Sequence, residues 1–249
     1  MSDQDARQTV QFGDSTSGRG QSSTAESITI VTGQIGVPQQ FVAHAQGDEV
    51  KVVVVYYSAT GSVHSLAKAV AQGARDAGGS VRVVRVRETV PQDIVGQNPL
   101  WDQHLRATAD VPIATVQDVE LADVILLGSP TRFGNISSQL QTFIDTWGQL
   151  WGAGALQDKV FAGFTSSATA HGGQEGTIIT MYRIVCHLGG IIVPPGYTDP
   201  VQFATGNPYG ASHTSNNGQL PPTDDDLGSA WVTGHRATTI AAQLRRGAR

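Results

Sequence analysis

A single cysteine, Cys186, occurs in 249 residues, so no intrachain disulfide can form and the chain suits a reducing cytoplasm. Positive charge is also short. Lys and Arg number 16 against 21 Asp and Glu, a net charge of −5. Nucleic acid normally requires a basic face, so no such partner is expected. No apolar stretch approaches the ~20 residues that cross a bilayer, which excludes membrane insertion. The first residues, MSDQDARQTV, lack both the basic and the apolar stretch of a secretory leader, so a cytoplasmic location is expected. There is no G-x-S-x-G elbow and no Cys/His metal spacing, so neither a serine nucleophile nor a metal site is required. Cys186 itself reads as a small buried hydrophobe.

Glycine, by contrast, is plentiful at 29 residues, clustered at Gly128, Gly134, Gly172-Gly173, Gly189-Gly190 and the 206–218 stretch. Several of these follow apolar runs, where ligand loops sit in open parallel sheets. Residues 1–46 are rich in Gln, Ser, Thr and Gly, and only Ile28 to Val31 has strand character. This segment reads as a disordered N-terminal extension, with residues 47–249 as the folded domain.

Strands and helices then alternate. Strands are expected at Val52–Tyr57, Val81–Val86, Val124–Gly128, Val160–Thr165 and Gly190–Val193. Helical spacing places Val63, Leu66, Ala67, Val70, Ala71 and Ala74 on one stripe. A second stripe holds Ile136, Leu140, Phe143, Ile144 and Trp147, with Asn135 as a plausible N-cap. A third carries Ile178, Met181, Tyr182, Val185 and Leu188. The last helix opens on Thr223 and Asp226 in capping-box spacing and buries Leu227, Ala230, Trp231, Gly234, Ala237, Ala241 and Leu244. The pattern is α/β, a doubly wound five-stranded parallel sheet with helices on both faces. Residues 88–118 form a polar, Pro-containing insertion, and 194–222 a long Gly/Asn/Pro loop. Loops of that length tend to be functional or oligomer-forming.

Ser58-Ala59-Thr60-Gly61-Ser62-Val63 follows the first strand directly. A short loop of hydroxyls and glycine before a helix directs free N–H groups at one spot and makes an anion site. It holds no Lys or Arg and matches neither the Walker P-loop nor G-x-G-x-x-G. It suits one terminal phosphate, the flavodoxin-type solution for FMN. The competing reading is an ordinary turn in which Ser58 or Thr60 caps the helix.

Two further strand-end loops should converge on it. Thr131-Arg132-Phe133-Gly134-Asn135 offers amides, a flat ring and one guanidinium. A flavin ring needs such donors, and Arg132 could sit near the charge of the reduced ring, unless it is simply a surface Arg. Ser166 to Gly173 offers a second run of N–H groups, or a flexible glycine loop.

The order YYSATGSVH, GSPTRFGN, LWGAGAL, HGGQE, CHLGGIIVP and NPYGAS resembles the WrbA family of FMN-dependent NAD(P)H:quinone oxidoreductases, from about residue 50 onward. The resemblance implies a flavodoxin-like fold, noncovalent FMN, a homotetramer, and two-electron reduction of a quinone by NADH or NADPH. It places the FMN phosphate at Ser58, Ala59, Thr60, Gly61, Ser62 and Val63. Thr131, Arg132, Phe133, Gly134 and Asn135 would hold the isoalloxazine and ribityl chain. Ser167, Ala168, Thr169, Ala170, His171 and Gly172 would flank its other side. Trp151 matches the aromatic wall of the substrate pocket, and His187 a histidine that enters a neighbouring subunit's pocket. The chain departs from the family where Thr60 replaces an aromatic, Ser62 a His and His171 a Gly.

The expected activity is therefore ping-pong hydride transfer from NAD(P)H through FMN to a small-molecule quinone. Two alternatives are a flavodoxin-like single-electron carrier and a non-enzymatic binding protein that keeps the fold.

Overall fold

The computed structural model describes residues 49–247; the expected extension over 1–46 and its Ile28–Val31 strand lie outside them. The first β-strand, β1 (Val50–Tyr56), leads into α1 (Ser62–Asp76) and β2 (Gly79–Arg85). Three short helices follow, α2 (Gln92–Val95), α3 (Pro99–Ala107) and α4 (Val116–Glu120). Then come β3 (Val124–Pro130), α5 (Ser138–Asp145), α6 (Gly148–Gly152), β4 (Val160–Ser167) and α7 (Gln174–Leu188). The chain ends with β5 (Ile191–Ile192), α8 (Pro200–Thr205), β6 (Ala211–Thr214) and α9 (Asp224–Gly247).

The sheet is parallel throughout, in the order β2-β1-β3-β4-β5 with β6 also on β4. The expected five strands become six in a specific way. The strand read over Gly190–Val193 shrinks to Ile191–Ile192, paired with Val160 and Phe161 at the start of β4. β6 takes over the same edge at its end, pairing Phe164 through Ser167. Residues 194–222, read as one long loop, therefore contain a helix and a strand. The 88–118 insertion likewise contains most of three helices.

Alternation along β1 decides the two faces, because successive side chains point oppositely. Val50, Val52, Val54 and Tyr56 pack with Leu66, Val70, Ala230 and Ala237 of α1 and α9. Val53, Val55 and Tyr57 pack with Leu140, Trp147, Met181 and Val185 on the other face. Each fully buried Val, Leu or Ile contributes roughly 1.5–3 kcal/mol. α1 and α9 touch at two glycines. A Cβ on Gly73 would strike the Trp231 carbonyl, and one on Gly234 the Val70 carbonyl.

The capping box of α9 forms as read: the Thr223 N–H donates to Asp226 Oδ2 at 2.9 Å, and the Asp226 N–H to Thr223 Oγ1 at 3.2 Å. Three expectations are corrected. Ser137, not Asn135, caps α5, because Asn135 Oδ1 is engaged by the Ile136 N–H and its backbone is paired with Arg132. Cys186 is exposed, since it lies on the outward side of α7 between the buried positions Tyr182, Val185 and Leu188. Leu244 is exposed in the last turns of α9, beyond the edge of the packed layer. No helix among the described residues is long and apolar enough to cross a membrane.

Candidate active site

The carboxyl ends of β1, β3 and β4 open into one cleft of about 220 Å³, the position where open α/β sheets bind ligands. Ser58, Ala59, Thr60, Ser62 and Val63 line it from the first loop, Pro130 and Arg132 from the second, and Ser166, Ser167 and Ala168 from the third. Gly61 is the N-cap of α1, with a left-handed φ of 102°, and no side chain caps the helix. Neither Ser58 nor Thr60 therefore supplies the N-cap. Ser58 Oγ is turned instead to the Gly61 N–H at 3.1 Å. The amides of the first turn of α1 have no side-chain acceptor and face the cleft with the positive end of the helix.

Thr131 stitches the second loop to the third. Its hydroxyl donates to the Gly172 carbonyl at 3.2 Å, and accepts from Thr177 Oγ1 at 2.8 Å and the Gly134 N–H at 3.1 Å. Arg132 and Asn135 close a tight turn, the N–H of each donating to the other's carbonyl at 2.7 and 3.0 Å. That turn holds Phe133 at φ 55° with its ring wholly exposed. Phe133 is not among the residues lining the cleft, and Asn135 lines a second cleft beyond Arg132. In the third loop Thr169, Ala170 and His171 are exposed and Gly172 acts through its backbone.

Trp151 and His187 are not brought to the cleft within this chain. α7 starts beside the third loop and runs 15 residues, about 22 Å, so His187 reaches the amino end of the sheet. Trp151 is beside it, its indole N–H donating to the His187 carbonyl at 3.0 Å. Both side chains are exposed.

Sequence reading missed the other wall. Asn98 and Trp101 line the cleft from the 88–118 insertion, and Ser215 and Asn217 from the turn after β6. The hub behind the first pair is Glu88. Its carboxylate accepts from the Tyr57 hydroxyl at 2.7 Å, the Trp101 indole at 3.0 Å and the Gln139 amide at 2.8 Å. The N–H groups of Thr89 and Val90 add bonds at 2.9 and 3.0 Å. Burial raises the Glu88 carboxyl, but the Val90 N–H and the three side-chain donors outweigh it and keep it below the usual range. Burial, reinforced by that carboxylate, pushes the Tyr57 hydroxyl up. An insertion of unusual length carrying a lone Trp was the available signal. On the far side, the Ser215 N–H and Oγ both donate to the Ser167 carbonyl, at 2.8 and 3.0 Å.

Fold and site together define a flavodoxin-like α/β protein with a cradle of hydroxyls and helix-start amides at a strand-end cleft. The chain belongs to the NADPH-dependent FMN reductase family, whose model matches residues 50–200. A protein of Deinococcus radiodurans named NAD(P)H dehydrogenase (quinone) is 44% identical over 196 residues, spanning 78% of this chain and 97% of the relative. One of the same name from Geotalea uraniireducens is 39% identical over 203 residues, spanning 79% and 100%. Among solved structures, the flavodoxin, WrbA-like protein from Agrobacterium tumefaciens superposes with TM-score 0.57 at 26% identity, covering 78% of this chain and 99% of that one. The WrbA-type resemblance read from the motifs is borne out.

Proposed function

We propose that this chain is an FMN-dependent NAD(P)H:quinone oxidoreductase, passing two electrons by hydride transfer in a ping-pong sequence. The observation that carries the reading is the uncapped start of α1 opening into the cleft shared by the three strand-end loops. The family description supports the flavin and its nicotinamide donor, and the relatives' names support the quinone.

The donor set fits FMN. Ser58, Thr60 and Ser62 supply hydroxyls, and the first turn of α1 supplies amides suited to a terminal phosphate. Thr131 to Asn135 would bear on the ribityl chain and ring from one side, and Ser167 to Gly172 from the other. Bound FMN would supply the redox chemistry, taking hydride from reduced nicotinamide and passing it to the quinone. The chain's own task is to orient both partners and favour the charge of the reduced state. Arg132 suits the first part of that task, the orienting of a partner, having no ion-pair partner among the described residues. Trp151 and His187 would enter a cleft only from another subunit, so the reading includes a homotetramer with shared clefts. It takes residues 47–249 as the flavin domain, 1–46 as an appended segment, and the cytoplasm as the location.

The test is anaerobic. FMN-loaded protein is mixed with NADH or NADPH while the visible flavin band is followed. Prompt bleaching reversed by a benzoquinone is expected, with parallel lines in double-reciprocal plots. Bound flavin that neither donor reduces would sink the oxidoreductase reading, and intersecting lines would remove the ping-pong order alone.

A further inference from the structure

A second cleft of about 480 Å³ opens beside the first, and Trp101 and Arg132 line both. None of the residues 58–63 borders this second space. A phosphate at the start of α1 would therefore lie outside it. Its walls combine apolar Val90 and Ile136 with the polar side chains of Asn135 and Ser138.

The two shared residues are chemically pointed. The Trp101 indole is partly buried and tied through its N–H to Glu88, a carboxylate engaged by five donors. A ring packed against the core and held by a charge-assisted hydrogen bond keeps one orientation, and the part that lines the clefts is a fixed stacking surface. Arg132 is exposed. Its guanidinium donates to the neighbouring Thr131 carbonyl at 3.2 Å, and it forms no ion pair among the described residues. A guanidinium of that kind beside an aromatic face matches a purine base carrying a phosphate. Arg forks onto phosphate oxygens, and bases stack on Trp.

We propose that the junction of the two clefts binds the adenosine phosphate end of the nicotinamide donor, with Trp101 stacked on the purine and Arg132 paired with its phosphate. The donor then lies across Arg132, its nicotinamide directed into the first cleft. This assignment rests on the oxidoreductase reading above. Trp101 becomes a specificity-determining residue and Glu88 a positioning residue that acts through it.

The probes are 2′,5′-ADP and 5′-AMP, titrated calorimetrically into FMN-loaded wild type, Trp101→Ala, Trp101→Phe and Arg132→Ala. Wild type should bind 2′,5′-ADP. Trp101→Ala should weaken it at least tenfold, and Trp101→Phe less than threefold, because a ring remains. Arg132→Ala should weaken 2′,5′-ADP at least tenfold and 5′-AMP less. For Trp101→Ala, the ratio of kcat/KM with NADPH to that with reduced nicotinamide mononucleotide should fall about tenfold. Wild type that binds neither adenosine phosphate, or Trp101→Ala and Arg132→Ala that bind both as wild type does, would overturn the assignment. If NADPH still bleaches the flavin in that case, the broader reading survives and only this inference falls.

Discussion

The two faces of the sheet are built on different principles. On the α1/α9 face the helices meet through Gly73 and Gly234, and the layer is filled by Ala67, Ala71, Ala74, Ala230, Ala237 and Ala241. Backbone lies against backbone there, with no slack to absorb a change. On the other face large side chains such as Leu140, Trp147, Phe161 and Met181 fill the layer. Near the cleft that face gives way to a polar hub, Glu88 with Tyr57, Trp101 and Gln139. The close-packed face steadies β1 and the start of α1, where the 58–63 cradle sits. The hub-bearing face carries the insertion that closes the cleft. Small residues thus supply close backbone contact, and a half-buried carboxylate supplies directed hydrogen bonds.

That contrast is broken most severely by Gly234→Leu. The added side chain meets the Val70 backbone carbonyl, so neither rotamer nor neighbour can relieve it. Overpacking of this kind costs about 3 kcal/mol or more, and thermal denaturation should show a Tm drop of roughly 10 °C or a chain that fails to fold. A drop of a degree or two would mean that α9 shifts freely and the face is not rigid.

On the other face, Glu88→Ala leaves the Tyr57, Trp101 and Gln139 donors without their acceptor. The expected loss is about 2–3 kcal/mol in urea denaturation, with a change in Trp101 fluorescence before unfolding. Glu88→Gln keeps an acceptor oxygen and should lose less. Equal losses for the two would show that shape, not hydrogen bonding, holds the insertion.

His104 of α3 lies against the cradle, with Gly61 on one side and the His64 ring at 5.4 Å on the other. Burial, then the His64 and Arg85 charges, lower its pKa to about 4. The unfolded chain therefore binds more protons than the folded one between the ordinary histidine pKa, ~6.5, and about 4. Stability from this group is present above the upper value and is lost as pH falls towards the lower. Between pH 7.5 and 4.5, His104→Gln should lose up to about 2 kcal/mol less stability than wild type. Matching acid profiles for the two proteins would place the imidazole in water.

The smallest effect sharpens the comparison at the cradle itself. Gly61→Ala forces a side chain into a left-handed position at φ 102°, a strain of about 1 kcal/mol. FMN affinity, read from quenching of flavin fluorescence, should fall severalfold while the melting temperature moves by only a few degrees. Unchanged affinity would mean that the loop re-forms without its left-handed turn.

Much of this architecture was legible in the chain. Val52–Tyr56 of β1 and Val124–Leu127 of β3 are continuous apolar runs because both of their faces are covered. α1, α7 and α9 announce themselves by periodicity, and the Thr223–Asp226 cap is a contact between near neighbours. The 58–63 loop was legible for the same reason, since strand, turn and helix follow one another. What escaped depends on distant partners. β6 is four residues, Ala211–Thr214, whose strand character comes from pairing with β4. Asn135 has cap chemistry, but its turn with Arg132 uses it elsewhere. Cys186 has a buried residue's composition on a helix side that faces out.

By itself, then, the sequence determined the alternation of strands and helices, the two buried stripes around a parallel sheet, and the hydroxyl loop at the first strand's end. Each is set by interactions within a few residues, where hydrogen-bond geometry and side-chain spacing leave one solution. Tertiary structure alone decided that the fifth lane is shared by β5 and β6, that Trp151 and His187 sit at the opposite end from the cradle, and that Glu88 and Trp101 complete the cleft. Those outcomes depend on groups tens of residues apart meeting across the sheet. A carboxylate becomes a hub only when folding brings its donors together and removes the water that would otherwise satisfy it.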